Sequence, residues 1–240
     1  MVATTFRSEM AEMVNRRHCI RHPLTEAWAR GELSREQLAR WAIEHYHYTK
    51  DLYFFYGRII ANCPVREGRA MELDNLADEE NPDDVHNQQL LDFIAACGFE
   101  PEQAVQAEPL PTTKALRDWL TLLCEKRSWQ EAVAGLHVGM ESQFSTICAR
   151  VAPVLRDHYG FSARERRFFD THIGADEEHG RRAYEVVERH TPPELRPRVL
   201  QAIWEGTEKR WGYFDGVYLK YVLGYNLGNQ PDYPLKPRSP

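Results

Sequence analysis

The chain has 240 residues, 42% of them hydrophobic and 28% charged, with a formal net charge of -6. That length suits one sizeable core, and the mildly acidic balance gives no broad electrostatic reason to bind nucleic acid or an anionic membrane. No apolar run approaches the roughly 20 residues that a bilayer span needs, and Met1 to Arg17 mixes apolar with charged residues instead of forming a signal-peptide core. Five scattered cysteines without a C-x-x-C pair (Cys19, Cys63, Cys97, Cys124 and Cys148) read as reduced thiols. The expectation is a cytoplasmic protein with neither a nucleic-acid nor a membrane partner.

Helical signals run the length of the chain. Phe6 to about Arg17 is a short amphipathic helix, and Pro23 opens another that carries Leu24, Ala27 and Trp28 and stops at Gly31. Ser34-Arg35-Glu36-Gln37 is a capping box, in which Ser34 and Gln37 satisfy each other's free backbone donors. It starts a long helix whose inner face passes through Leu38, Trp41, His45, Tyr48, Leu52, Phe55 and Ile59 and ends at Pro64. Val65 to Glu80 follows, with Ala70, Leu73, Leu76 and Ala77 as its apolar side. Asn81-Pro82 then interrupts the helix, because proline lacks an N–H and clashes with the preceding turn.

Asp83 to Cys97 resumes the helix, and Gly98 ends it. Residues 101–111 read as a loop with room for one helical turn, and Thr113 to Lys126 as a helix. Ser128-Trp129-Gln130-Glu131 is a second capping box, opening a helix that should reach at least Arg150. Further boxes at Ser162-Ala163-Arg164-Glu165 and Thr191-Pro192-Pro193-Glu194 open the last two helices. Asn226 to Pro240, with four prolines, is a tail. With no strand-like alternation, the chain reads as a single all-α domain over 1–225 followed by a tail over 226–240.

The polar residues that share faces with this core carry the chemistry. His172, Asp176 and His179 fall at i, i+4 and i+7, so they stack on one helical face beside Phe169, Ile173, Ala183 and Val186. An ionised carboxylate between two imidazoles on an inward face needs a partner, and a metal ion supplies one. Glu79 and His86 are seven apart and lie near the apolar sides of their segments. Glu141 sits among the small residues Ala134, Gly135, Gly139 and Ser145, which leave room around its carboxylate. The candidate ligands are therefore Glu79, His86, Glu141, His172, Asp176 and His179, a set that suits a pair of iron or manganese ions. Asp83 competes with Glu79, because Asp83-x-x-His86 has the spacing used in di-iron bundles. His137, one turn before Glu141, is another competitor, and His45 reads first as a hydrogen-bonded core residue.

Asp78-Glu79-Glu80-Asn81 followed by His86, then Glu141-Ser142-Gln143, then His172-x-x-x-Asp176-x-x-His179, resembles the haem-oxygenase-like di-metal oxidases. The nearest branch is that of the Chlamydia protein associating with death domains. The pyrroloquinoline-quinone synthase and thiaminase-like branches stand further off. The resemblance spans about Arg21 to Arg182 and implies a haem-oxygenase-like bundle of seven to eight helices, with the six ligands above holding two Fe ions, or Mn or mixed Fe/Mn.

It further implies a non-haem di-iron oxidase or oxygenase that takes O₂ as co-substrate and oxidises a small-molecule substrate through a peroxo-diferric intermediate. An external electron donor and a homodimer belong to the same expectation. Close kin make para-aminobenzoate from one of their own tyrosines with the help of a lysine, but here those positions hold Thr25 and Val151. That activity, served by another tyrosine such as Tyr46 or Tyr48, is the alternative reading, and a non-catalytic helical binding module is the rival from another class.

Overall fold

The computed structural model describes residues 5–227 and 235–238, with the side chains of residues 175–177 outside the described set. Its described residues form twelve α-helices: α1 Phe6–Arg16, α2 Pro23–Ala29, α3 Arg35–Thr49, α4 Leu52–Asn62, α5 Arg66–Glu79, α6 His86–Ala96, α7 Glu102–Gln106, α8 Pro111–Lys126, α9 Trp129–Val133, α10 Phe144–Asp157, α11 Arg167–His190 and α12 Arg196–Val217. Among the described residues there is no strand, only one isolated bridge between Phe99 and Pro237. None of these helices is long and apolar enough to cross a membrane.

The local signals act as physics requires. Ser34 and Ser128 close reciprocal capping boxes with Gln37 and Glu131, and Gly98 leaves α6 at φ 96°, a conformation costly for a side-chain-bearing residue. Ser162 and Glu165 make their mutual bonds, but the helix they announce begins only at Arg167. Thr191 does not cap at all: its hydroxyl is buried without a hydrogen bond, and a short 3₁₀ turn over Pro193–Leu195 precedes α12.

Two expected rods are each divided. The long helix after Ser34 breaks between α3 and α4 at Asp51, whose carboxylate is bound by the Arg117 guanidinium of α8. The helix after Ser128 gives way to a π-helical turn over Ala134–Val138 and a 3₁₀ turn over Glu141–Gln143 before α10 starts.

The core is continuous, running from Phe6 and Met10 through Trp41, Phe55, Leu120 and Phe169 to Val217. Helices α10 and α11 pack as a pair, α12 lies along the π turn and α8, α3 pairs with α6, and α4 pairs with α5. All five cysteines are free and buried, and burial pushes the thiols of Cys19 and Cys97 up to about 12. Part of the expected tail is pinned. The Lys236 carbonyl accepts from the Glu100 amide, the Arg238 amide donates to the Gly98 carbonyl, and residues 235–238 thereby run across the end of α6.

Helix α5 overturns one expectation. Ala70, Leu73 and Ala77 of its supposed apolar side face solvent, and the buried face is Gly68, Met71, Glu72, Asn75 and Glu79. The inner side of this helix is polar because it lines the candidate site, so apolar periodicity pointed the wrong way.

Candidate metal centre

Four segments converge on one buried polar cluster. Glu79 is the last residue of α5, and the chain turns at Asn81-Pro82 so that His86 becomes the first residue of α6. Helix α11 presents His172 and His179 two turns apart. Glu141 leaves the main chain where α9 and its π turn end.

One ligand atom from each of Glu79, His86 and His172 lies within 4.8 Å of the other two, and all three residues are buried. Atoms bound to one ion at about 2.1 Å cannot be much further apart than that, and neighbouring ligands of an octahedron are about 3 Å apart. The Oε2 atom of Glu79 is 3.1 Å from Nδ1 of His86, yet that nitrogen makes no aligned hydrogen bond. Such an approach is what two ligands aimed at a common ion give.

His172 donates its Nδ1–H to the Phe168 carbonyl at 2.6 Å. That bond fixes the tautomer and leaves Nε2 as the free lone pair, the second-sphere arrangement typical of metal-bound histidines. Burial pushes its pKa down to about 4, which keeps the ring neutral and able to ligate. At His86 burial acts in the same direction, but the contact and charge of Glu79, then Asp84 and Asp78, outweigh it and hold the pKa above the ordinary value.

The other candidates lie alongside. Glu141 lines the same small cavity as Glu79, His86 and His172. Its Oε1 accepts from the Tyr56 hydroxyl at 2.9 Å and its Oε2 faces His137 Nδ1 at 2.5 Å. On its far side His137 meets both oxygens of Glu72, at 2.9 and 3.0 Å. Burial works against the Glu141 charge, but His137 overcomes it and holds the carboxyl below its ordinary range. Glu141 and Glu72 in turn raise the His137 pKa well above its usual value against the effect of burial.

His179 meets Asp78 Oδ2 through Nε2 at 3.0 Å, and its Nδ1 is buried without a hydrogen bond. An orphaned buried nitrogen is costly unless something absent from the protein itself satisfies it. Asp176 was expected among the ligands, but its side chain lies outside the described residues.

Asp83 is exposed, so the carboxylate beside His86 is Glu79. His45 is a core residue, stacked on Trp41 and Phe144 with Tyr213 hydroxyl 3.3 Å from Nδ1, although it also borders the cavity. Sequence reading did not find Glu72, Tyr56 or Asp78. The one signal for Glu72 was its position two turns before Glu79, on the same face of α5.

The cavity at this cluster is about 20 Å³, enough for one or two waters. Besides Glu79, His86, Glu141, His172 and His45, it is bounded by Tyr48, Thr49, Leu52, Asn87, Phe144, Phe168 and Arg210. The donor set of imidazoles and carboxylates, with open space beside it, suits iron or manganese better than a structural thiolate metal site.

The sequence profile described as "iron-containing redox enzyme" matches residues 39–211, which include all six candidate ligands. The chain belongs to this haem-oxygenase-like family. Within the family it is 30% identical over 215 residues to a 4-aminobenzoate synthase of Chlamydia trachomatis serovar D, covering 89% of this chain and 92% of that one. A 4-aminobenzoate synthase of Nitrosomonas europaea is 27% identical, with 92% and 94% covered. The solved structure of a domain of unknown function with a heme oxygenase-like fold, from Shewanella denitrificans, superposes with TM-score 0.75 at 17% identity, covering 90% of this chain and 91% of that one. The expected all-α haem-oxygenase-like fold is thus the observed one.

Proposed function

We propose that this member of the iron-containing redox enzymes is an O₂-activating non-haem di-iron oxidase or oxygenase acting on a small molecule. Glu79, His86, Glu141, His172, Asp176 and His179 are its metal ligands in this reading. The observation that carries it is the convergence of Glu79, His86 and His172 on one point, beside the unpartnered Nδ1 of His179. Two ferrous ions, when bound, supply electrons that reduce O₂; manganese or a mixed pair would serve the same geometry.

The protein's own contributions follow from its side chains. His172 is held neutral and oriented by the Phe168 carbonyl. Tyr56 and His137 fix the two oxygens of Glu141. Phe144 and Phe168 screen the His172 ring from bulk water. A cytoplasmic location, an external electron donor and a homodimer belong to this proposal.

Two observations favour a second reading, para-aminobenzoate synthesis at the expense of one of the chain's own tyrosines. The relatives carry that activity in their names, and the cavity has no room for a metabolite without movement of its walls. Thr25 and Val151, at the positions of the family's tyrosine and lysine, are both buried and speak against it in its usual form. Of the tyrosines that could substitute, Tyr48 borders the cavity, and Tyr56 touches Glu141.

The test is anaerobic loading with Fe(II), then O₂ with no added substrate. About two equivalents of iron and O₂ uptake support the oxidase. The release of 4-aminobenzoate with a matching mass loss from the chain would select the second reading. Failure to bind iron, or binding that survives His172→Ala and Asp176→Ala together, would overturn both.

A further inference from the structure

Glu72 and His137 form the most deeply enclosed charged pair in the cluster, and neither is among the proposed ligands. Both side chains have no solvent exposure, and each His137 nitrogen is used, Nε2 toward Glu72 and Nδ1 toward Glu141. The π turn creates this placement. The Gly139 amide bonds to the Ala134 carbonyl, one residue further back than in an α-helix. The extra residue per turn sets His137 between α5 and Glu141.

The backbone there cannot relax readily. A Cβ at Gly139 would meet the carbonyls of Gly135 and Ile203 at 2.7 and 2.8 Å, so this segment is pressed against α12. With Tyr56 on its other oxygen, Glu141 is gripped at both ends of its carboxylate. A buried carboxylate–imidazole pair is poor stabilisation compared with apolar packing of the same volume. Its orientation of a third group is the effect that apolar packing could not reproduce.

We infer that Glu72 and His137 are positioning residues, which hold Glu141 in its metal-binding orientation and thereby set the affinity for one ion of the pair. The inference rests on the di-metal reading. Second-sphere partners of this kind typically govern metal affinity by about 10- to 100-fold.

The test titrates metal-free wild type, His137→Gln and Glu72→Gln with Fe(II) under anaerobic conditions, and repeats the series with Co(II) to read the visible d–d spectrum. His137→Gln is expected to weaken one of two ions by about 10- to 100-fold and to shift the Co(II) bands, while the other ion binds as before. Adding His137→Gln to Glu141→Gln should cause no further loss, because His137 acts through Glu141. Glu72→Gln should move in the same direction by less, and it carries the test should His137→Gln fail to fold.

Two ions in wild type with unchanged affinity and spectrum in the variants would overturn this inference alone. So would losses that simply add to those of Glu141→Gln. Fewer than two ions in wild type would overturn the di-metal reading, and this inference with it.

Discussion

Glu141 and Glu79 border one cavity, yet they stand at it in different ways. Glu141 is bonded through both oxygens, to Tyr56 and His137, and His137 is backed by the fully enclosed Glu72. Glu79 sits at the end of a helix, beside a proline break, with an unaligned 3.1 Å approach to His86. The first half of the site is organised by the protein's own hydrogen bonds. The second half brings ligand atoms close together and leaves His86 Nδ1 without an aligned hydrogen bond. Polar groups placed in this second way are unfavourable for the fold alone, and so they are the ones that most directly indicate a metal.

The largest effect that would sharpen this contrast is on stability. Glu72→Ala leaves His137 Nε2 buried without its partner while Nδ1 keeps Glu141, and should lower unfolding free energy by about 1–3 kcal/mol. Glu79→Ala, at a helix terminus, removes one approach to His86, whose ring can then turn neutral, and should cost no more than about 1 kcal/mol in metal-free protein. Urea unfolding of the two variants measures both, and equal losses would erase the distinction between the halves.

Another buried carboxylate provides a yardstick away from the ligands. Glu44 accepts from Thr113, the Leu110 amide and Tyr221. Burial outweighs these bonds and raises its pKa from 4.5 to about 7. The fold therefore takes up a proton between these values, and stability falls as pH rises from 4.5 toward 7, by about 3 kcal/mol at roughly 1.4 kcal/mol per unit. The Glu44→Gln variant should lack this component, so the difference between the two stability curves should vanish at low pH and grow as pH rises through that window. A flat difference would show that Glu44 is not held protonated.

Smaller effects concern the backbone behind Glu141. Gly206→Ala would place a Cβ against the Gly135 carbonyl at less than any real contact distance, so the π turn must shift, at a cost of about 1–3 kcal/mol. Gly57→Ala in α4 meets nothing within 4 Å and should stabilise by up to about 1 kcal/mol. Thermal melts of the two variants moving in the same direction would contradict the packing described for the first half of the site.

How much of this was readable in the sequence differed between the same two regions. The face of α11 carrying His172 and His179 was readable because it lies within one uninterrupted helix, where spacing translates directly into geometry. The haem-oxygenase-like bundle was readable for the same reason, from capping boxes and apolar periods in most of its helices. Helix α5 was not, because its buried face is polar and its apolar residues Ala70, Leu73 and Ala77 point outward. The Glu72–His137–Glu141 chain was not readable either, since it depends on a π turn that no local residue announces. Breaks at Asp51 and before Glu141 arise from tertiary contacts, the Arg117 ion pair in one case and the close passage of α12 in the other.

In the proposed site Glu79, His86 and His172 share one ion and a second lies beside them. Crystals grown anaerobically with Fe(II), measured on both sides of the iron absorption edge, test it most directly. Two anomalous peaks are expected, one in bonding contact with Glu79, His86 and His172 and one with Glu141 and His179, with Asp176 completing the set. A single peak, or iron bound elsewhere while these side chains remain unligated, would contradict it.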